Sequence, residues 1–136
     1  TDKVANIAIS IDQSGSVSSQ ELQVFYNELE GLAKLANFTV IPFDDQVFED
    51  GITEWKRGET HAWKRYTCGG TNFDAPTQFV NDRKDFDAHI IMTDMYAPKP
   101  KASRVPRMWV ASENNARRPY FQPSAGERIL PITLDS

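Results

Sequence analysis

Several features that define common classes of protein are missing from this chain. A single cysteine, Cys68, excludes an internal disulfide and is typical of a reducing compartment, so we expect a cytoplasmic location. There is no run of about 18 apolar residues, and no membrane span is therefore predicted. The first residues show neither a basic leader nor an initiator Met. We expect one domain over residues 1–136, excised from a longer polypeptide.

The sequence motifs of several enzyme classes are also missing. There is no His-Glu-x-x-His pair for a zinc peptidase, no Gly-x-x-x-x-Gly-Lys-Ser/Thr loop and no Gly-x-Gly-x-x-Gly fingerprint. The two histidines, His61 and His89, lack zinc-ligand spacing, and we expect His89 to be satisfied by a neighbour inside a core strand. A formal net charge of −4 argues against nucleic-acid binding as the main task.

What the chain does contain is an ordinary globular composition with a regular alternation of elements. Hydrophobic residues make up 40% and charged residues 25% of the 136 positions. A chain of this length and composition can form one hydrophobic core without disulfides or structural metal ions. Apolar, β-branched segments predict strands. The predicted strands are Val4–Ile11, Phe38–Phe43, Gln46–Phe48 continuing into Ile52–Trp55, Ala88–Met92, Arg107–Ala111 and Glu127–Leu134.

Helical periodicity fills part of the remainder. Ser18 or Ser19 with Glu21 marks the start of an amphipathic helix that runs to about Ala36. A second helix is predicted to begin at Thr71-Asn72 after a Gly-Gly break, whereas 56–68 and 114–126 are predicted as irregular or surface loop. This order predicts an α/β fold: a Rossmann-like, open, mainly parallel sheet with one antiparallel hairpin strand, flanked by helices. Pro42 suggests that pairing of its strand is interrupted or that the strand lies near an edge.

Oxygen-bearing side chains follow two of the predicted strands and open one predicted helix. Asp12, Ser14 and Ser16 alternate directly after the first strand, Thr71 opens the second helix, and Asp94 follows the strand Ala88–Met92. Ligands of an open parallel sheet gather outside the carboxyl ends of its strands, so the three loops converge. Two carboxylates and three hydroxyls form an all-oxygen set that favours Mg²⁺ or Mn²⁺ over Zn²⁺.

A plainer interpretation of the first motif remains open at this point. Asp12 could cap the following helix, with Ser14 and Ser16 acting as turn residues. Asp44-Asp45 are interpreted as turn formers, with contact to the metal ligands as the alternative. Trp55, Trp63 and Trp109 are expected to be buried anchors.

The three segments together resemble a known family. Asp12-Gln-Ser14-Gly-Ser16, Gly69-Gly70-Thr71-Asn72-Phe73 and Met92-Thr93-Asp94 are similar to the metal-ion-dependent adhesion site (MIDAS) of von Willebrand factor A (VWA) domains. The likeness spans about residues 4–132 and is strongest to compact bacterial and phage VWA-like domains that follow a metallopeptidase-like segment. One departure is Met95, which stands where glycine is usual after the aspartate.

The resemblance implies a VWA fold that carries one divalent cation. Ser14, Ser16 and Thr71 would bind the ion directly, and Asp12 and Asp94 would bind it directly or through water. A carboxylate of a partner protein would fill the open coordination position. The family further suggests a AAA+ ATPase, or a metallopeptidase-like domain of the same polypeptide, as partner.

Residues around this site are candidates for contact with the partner. Tyr96 is either an exposed contact or packed under its loop, and two basic loops could rim the metal face and steer an acidic partner. The basic residues of these loops are Lys99, Lys101, Arg104 and Arg107, and Arg117-Arg118. The candidate partner-binding residues are Gly70, Asn72, Tyr96, Lys99 and Lys101.

Two classes of function are compatible with such a site. The first is a non-catalytic, Mg²⁺-dependent protein-interaction module, which is the expectation here. The alternative is a Mg²⁺-dependent hydrolase or phosphoryl-transfer enzyme, because strand-end carboxylates with Mg²⁺ also serve that chemistry. The sequence offers no nucleophile or general base for it, and no catalytic residue is predicted. A scaffold with a vestigial metal site is the remaining possibility.

Overall fold

Six strands form one mainly parallel sheet, and helices cover both of its faces. A computed structural model describes residues 5–62 and 64–133. The strands are β1 Ile7–Asp12, β2 Phe38–Phe43, β3 Thr53–Trp55, β4 Ala88–Met92, β5 Arg107–Ser112 and β6 Ile129–Ile132; the helices are α1 Ser19–Ala33, α2 Asp74–Asn81 and α3 Glu113–Arg117. The strand order is β3-β2-β1-β4-β5-β6, and only β3 is antiparallel to its neighbour. The predicted fold class is confirmed.

The winding of the chain reverses next to β1. Ile7 pairs with Phe38 of β2 on one side and with Ala88 of β4 on the other. The connections that leave β1 and β4 therefore diverge, which opens a crevice at the carboxyl ends of these two central strands. This edge of the sheet is the one on which Asp12 and Asp94 were expected to meet, and it is called the carboxyl edge below.

Alternation along the strands supplies two apolar faces. Ile9 and Ile11 belong to the cluster that packs against α1, whereas Ala8 belongs to a cluster on the opposite face, with Val80 of α2. A capping box fixes the start of α1: Ser18 accepts a hydrogen bond from the Glu21 backbone, and the Glu21 carboxylate accepts one from the Ser18 backbone. The buried face of α1 consists of Leu22, Phe25, Tyr26, Leu29 and Ala33, together with Glu21.

Two sequence features of β2 and α1 have simple physical explanations. Strand β3 pairs with β2 only as far as Val40, so the side of β2 that faces away from β1 has no partner strand at Pro42. On that side the Pro42 carbonyl accepts a hydrogen bond from Phe48 N at 2.9 Å. The missing N–H of Pro42 points to this same side, so no ladder bond is lost. Helix α1 ends at Ala33 and not near Ala36: Lys34 N and Leu35 N donate to the carbonyls three residues before them, and Gly58 N donates to the Ala33 carbonyl at 2.8 Å.

Most predicted elements agree with the structure, with differences at their ends. β2 and β4 have the predicted bounds, β1 extends to Asp12 and β5 to Ser112. Val4 and Leu134, the outer ends of two predicted strands, lie outside the described residues, as does Trp63. Of the segment 46–48, only Val47 bridges back to β2, before β3 completes the hairpin.

The clearest wrong prediction is the long loop over 114–126. Helix α3 occupies Glu113–Arg117, because the Ser112 hydroxyl at the end of β5 accepts from Asn115 N and caps it. Elsewhere, Trp55 and Trp109 are fully buried, as expected. Within residues 5–62 and 64–133, no helix is both long and apolar enough to cross a membrane.

Candidate metal centre

Two aspartates lie buried at the carboxyl edge, one on each central strand. Asp12 is the last residue of β1, and Asp94 follows β4 by two residues. Their exposed fractions are 0% and 1%, and the negative charge of Asp94 is one of the factors that raise the pKa of Asp12. Two adjacent buried carboxylates are costly unless a positive charge offsets them.

The environment of Asp12 excludes one part of its plainer interpretation, the capping of α1. One carboxylate oxygen accepts from Ser14 N at 2.8 Å and the other from the Thr93 hydroxyl at 2.5 Å. Burial raises the pKa of Asp12 to about 6, although these hydrogen bonds act in the opposite direction. Helix α1 is capped by Ser18, so Asp12 is not its cap. It does organise the turn through Ser14, as the plainer interpretation expected in part.

The two serine hydroxyls of the first motif lie side by side. Ser14 Oγ and Ser16 Oγ are 3.1 Å apart; Ser14 is buried and Ser16 is exposed. Neighbouring ligand oxygens of an octahedral Mg²⁺ are separated by about 3.0 Å, given the usual Mg–O distance of about 2.1 Å. The spacing of the hydroxyl pair therefore fits two adjacent positions around one such ion.

Asp94 offers the least satisfied atom at this edge. Its Oδ1 accepts from Tyr96 N at 3.0 Å, whereas its buried Oδ2 receives no hydrogen bond from any of the described residues. A buried carboxylate oxygen without a donor is unusual in a folded protein. It is chemically suited to a cation or to a water molecule bound to one.

The backbone of the loop that carries Thr71 is hydrogen-bonded to the first motif and to Asp44, which follows β2. Gly15 N donates to Gly69 O at 2.9 Å, which joins this loop to the first motif. Asp44 forms two further hydrogen bonds with the Thr71 loop. Its Oδ2 accepts from Gly69 N and its backbone carbonyl accepts from Asn72 N, each at 3.0 Å. Thr71 is half-buried between these two anchored residues. Asp44 therefore positions the loop in addition to forming a turn.

A segment that looked featureless in sequence supports the first motif. The Arg65 guanidinium donates to three carbonyls of the loop after β1, those of Gln13, Ser14 and Val17, at 2.9, 3.3 and 2.6 Å. The Gln13 side chain in turn donates to Lys64 O and accepts from Tyr66 N. The sequence does not indicate that Arg65 and Gln13 make these contacts, because residues 56–68 show no periodicity and the bonded residues lie about 50 positions apart.

A third acid, Glu21, lies near the two aspartates. Burial raises its pKa, and the charge of Asp94 adds to the effect. Its carboxylate accepts from Asn115 Nδ2 of α3 at 3.4 Å, in addition to its role in the capping box. Sequence reasoning identified Glu21 only as a helix-start residue, and its place beside the carboxyl edge was missed.

Met95 adopts the conformation that glycine prefers. Its φ angle is 67°, and its side chain is fully buried in a cluster with Phe73 and Trp109. The left-handed conformation costs a residue with a side chain about 1–2 kcal/mol. Met95, which stands where the family usually has glycine, therefore keeps the left-handed backbone of a glycine and adds a buried side chain.

The prediction that basic residues surround the metal face is wrong for Arg104 and Arg107, in the segment after β4. Arg107 begins β5 at the opposite, amino edge, where it forms a buried ion pair with Glu127 at 2.9 Å. Arg104 donates to the carbonyls of Arg83 and Phe86, which precede β4. Lys101 Nζ donates to Gln78 of α2. Arg117 and Arg118, in contrast, follow β5 at the carboxyl edge.

The remaining candidate contact residues are accessible. Gly70, Asn72 and Lys99 are exposed, and Tyr96 exposes 51% of its surface, which excludes packing under its loop. In the part of the chain that the structure describes, no group of three or more His, Cys, Asp or Glu side chains is placed to hold a metal ion. The candidate centre thus depends on hydroxyls alongside two carboxylates.

Comparison with known proteins supports the fold and the family. A search of curated proteins found no match. A family described as "VWA-like domain (DUF2201)" matches residues 7–129, which is most of the chain. The matched region runs from the first residue of β1 to the first residue of β6 and includes all three loops of the carboxyl edge. The chain belongs to this family of VWA-like domains.

Proposed function

We propose that this domain holds one Mg²⁺ ion at the carboxyl edge and binds a carboxylate of a partner protein through it. Ser14, Ser16 and Thr71 bind the ion directly, and Asp12 and Asp94 bind it directly or through water. The observation that carries the proposal is the buried Oδ2 of Asp94, which lacks a hydrogen-bond donor among the described residues and lies on the same edge as buried Asp12.

The nature of the donors supports the choice of ion. Carboxylate and hydroxyl oxygens are hard ligands, and no thiolate or imidazole belongs to the set, so Mg²⁺ is favoured and Mn²⁺ can replace it. Three of the five ligands are neutral, which leaves the bound ion attractive to an external carboxylate. Membership of the VWA-like family agrees with this type of site, which the chain's motifs resemble.

An interaction module fits the surroundings better than an enzyme. His89 is fully buried and bonded to Ser10 at 2.7 Å, and its pKa is lowered to about 3. His61 packs against Trp55, with the two rings tilted by 48°, at the amino edge of the sheet. Neither histidine is therefore placed to act as a general base at the metal, and we propose that the domain itself is not catalytic.

The proposed partner and the bacterial or phage source follow from the resemblance alone, and the proposed cytoplasmic location follows from the single cysteine. A AAA+ ATPase, or a metallopeptidase-like domain of the same polypeptide, is the proposed source of the carboxylate, in the cytoplasm of a bacterial cell or phage-infected host. Neither nucleic acid nor a membrane is part of the proposal.

The test is metal-dependent capture of a single carboxylate. A fluorescent Gly/Ser peptide with one central Glu is titrated with the domain in Mg²⁺ and again in EDTA. The same titrations use a Gln peptide and the Ser14→Ala variant. We expect weak binding, in the millimolar range, only for the Glu peptide with Mg²⁺ and wild-type domain. Equal binding of the Glu and Gln peptides, or binding that survives EDTA, would refute the proposal.

A further inference from the structure

A cavity of about 380 Å³ lies directly beside the candidate metal centre. Its lining residues are Tyr96, Asn114, Asn115, Arg117 and Arg118. Four of these five belong to α3 or its C-terminal cap, which follows β5 at the carboxyl edge. The volume is within the range of about 300–1,000 Å³ that is usual for ligand sites.

Two contacts connect this cavity to the acidic residues at the edge. Tyr96 N donates to Asp94 Oδ1 at 3.0 Å, so one wall of the cavity begins two residues from a proposed metal ligand. Asn115 Nδ2 donates at 3.4 Å to Glu21, whose carboxylate also accepts from Ser18 N at the end of the loop that carries the first motif. The cavity is therefore within reach of a segment that places a carboxylate on the ion.

The charge of the cavity is opposite to that of the chain. The protein has a net charge of −4, yet two arginines line this one space. Arg117 has an exposed, 3.5 Å contact with Glu113, which is too solvated to neutralise it strongly. The Arg118 guanidinium forms no hydrogen bond or ion pair with the residues that the structure describes. Guanidinium groups bind carboxylates through paired hydrogen bonds.

Exposed aromatic side chains mark the same surface. Tyr96 and Tyr120 form an edge-to-face pair with ring centroids 6.0 Å apart, and they expose 51% and 68% of their surface. They are two of the four large hydrophobic residues that are exposed within the described part of the chain; the other two are Leu35 and Leu130. Tyr and Arg are the residue types most enriched among those that dominate binding energy at interfaces.

We infer that the cavity binds a second acidic side chain of the same partner segment whose first carboxylate completes the metal coordination. The partner is thus an acidic peptide segment with two carboxylates, one held by Mg²⁺ and one by Arg117 and Arg118 over the Tyr96 wall. This inference rests on the proposed function, and it adds the chemistry that selects the partner.

The test compares peptides with one and with two acids in the presence of Mg²⁺. The first peptide carries a single Glu in a Gly/Ser background, and a series adds a second Glu one to four positions before or after it. For the best spacing we expect about tenfold tighter binding to the wild type than with one Glu. In the Arg117→Gln/Arg118→Gln variant this gain disappears, so that the one-Glu and two-Glu peptides bind with equal affinity, and Mg²⁺ still binds.

A matched variant controls for the loss of two positive charges. Lys34→Gln/Lys56→Gln removes two exposed lysines at the amino edge, next to the end of α1 and of β3. We expect it to retain the full gain from the second Glu. The inference alone is overturned if Mg²⁺ and the one-Glu peptide bind but no second Glu adds affinity. The inference alone is also overturned if the arginine and the lysine double variants lose the added affinity of the second Glu to the same extent. Absence of Mg²⁺ binding overturns the proposed function together with the inference.

Discussion

Gly69 and Asp44 are in such close contact that a side chain at residue 69 would displace the Asp44 carboxylate. Gly69 N donates to Asp44 Oδ2 at 3.0 Å, and a Cβ on Gly69 would lie 2.9 Å from that same oxygen. Gly70, in contrast, has no atom within 4 Å of the corresponding position. The contact between Gly69 and Asp44 therefore positions the loop that carries Thr71, and it depends on glycine at residue 69 but not at residue 70.

Gly69→Ala should weaken Mg²⁺ binding about 10- to 100-fold, the range for loss of a residue that positions metal ligands. The added methyl group pushes Asp44 away and moves Thr71 with the loop. Gly70→Ala is the matched control and should leave Mg²⁺ affinity within about twofold. Calorimetric titration measures both. Equal affinities in the two variants would show that the loop is not held through Asp44.

Arg65 should contribute strongly to stability, because its guanidinium donates to backbone carbonyls around the first motif, although it contacts none of the proposed ligand oxygens. Replacement by Gln removes charge-assisted hydrogen bonds to three loop carbonyls, and we expect a loss of about 2–4 kcal/mol in the free energy of unfolding. Exposed Arg57, whose guanidinium has a single 3.4 Å hydrogen bond to Lys34 O, is the control and should change it by under about 0.5 kcal/mol when replaced by Gln. Urea denaturation distinguishes the two.

Met95 allows backbone strain and side-chain burial to be separated. Replacement by Ala removes a buried side chain at a cost of about 2–5 kcal/mol and keeps the strained φ of 67°. Replacement by Gly removes the same side chain and relieves about 1 kcal/mol of strain. We therefore expect Met95→Gly to be more stable than Met95→Ala, and both to be less stable than the wild type. The reverse order of the two variants in thermal or urea denaturation would contradict the left-handed assignment.

His89 should make the domain sensitive to acid. Burial, with a smaller effect of the Arg107 charge, lowers the pKa of His89 from 6.5 to about 3. Between these values the unfolded chain binds a proton that the folded one does not, so stability is retained above pH 6.5 and lost as the pH falls. This loss is at most about 1.4 kcal/mol per pH unit.

The variant His89→Gln isolates this effect, because every other titrating group is common to both proteins. The difference in unfolding free energy between wild type and variant should shrink steadily from pH 6.5 to 4. A constant difference over that range, measured by urea denaturation, would show that His89 takes up its proton in the folded protein as well.

Patterns local to the chain were sufficient to predict the sheet. Apolar runs located β2 and β4 to the residue, and the Ser18–Glu21 pair located the start of α1, because capping and burial act over a few neighbouring residues. Helix α3 was missed because it has five residues and is held by Ser112 and by packing against β5 and β6. Such a short helix has no periodicity of its own.

The candidate site was predictable only where its residues follow strands. Asp12 and Asp94 could be placed on one edge because parallel strands end together, and that placement agrees with the structure. Arg65, Gln13 and the Asn115–Glu21 contact depend on how distant segments meet in three dimensions. Arg107 was misplaced because its position along β5, at the first residue, puts it at the opposite edge from Asp94.

The most direct test of the metal centre is a titration with Mn²⁺, followed by electron paramagnetic resonance and by competition with Mg²⁺. The variants are Asp12→Asn and Asp94→Asn, with Asp82→Asn, an exposed carboxylate at the far end of α2, as control. Circular dichroism confirms that each variant is folded. We expect one Mn²⁺ site in the wild type and in Asp82→Asn, displaced by Mg²⁺ and absent from the other two. Unchanged binding in Asp12→Asn and Asp94→Asn, or no binding to the wild type even with added acetate, would contradict a metal centre at this edge.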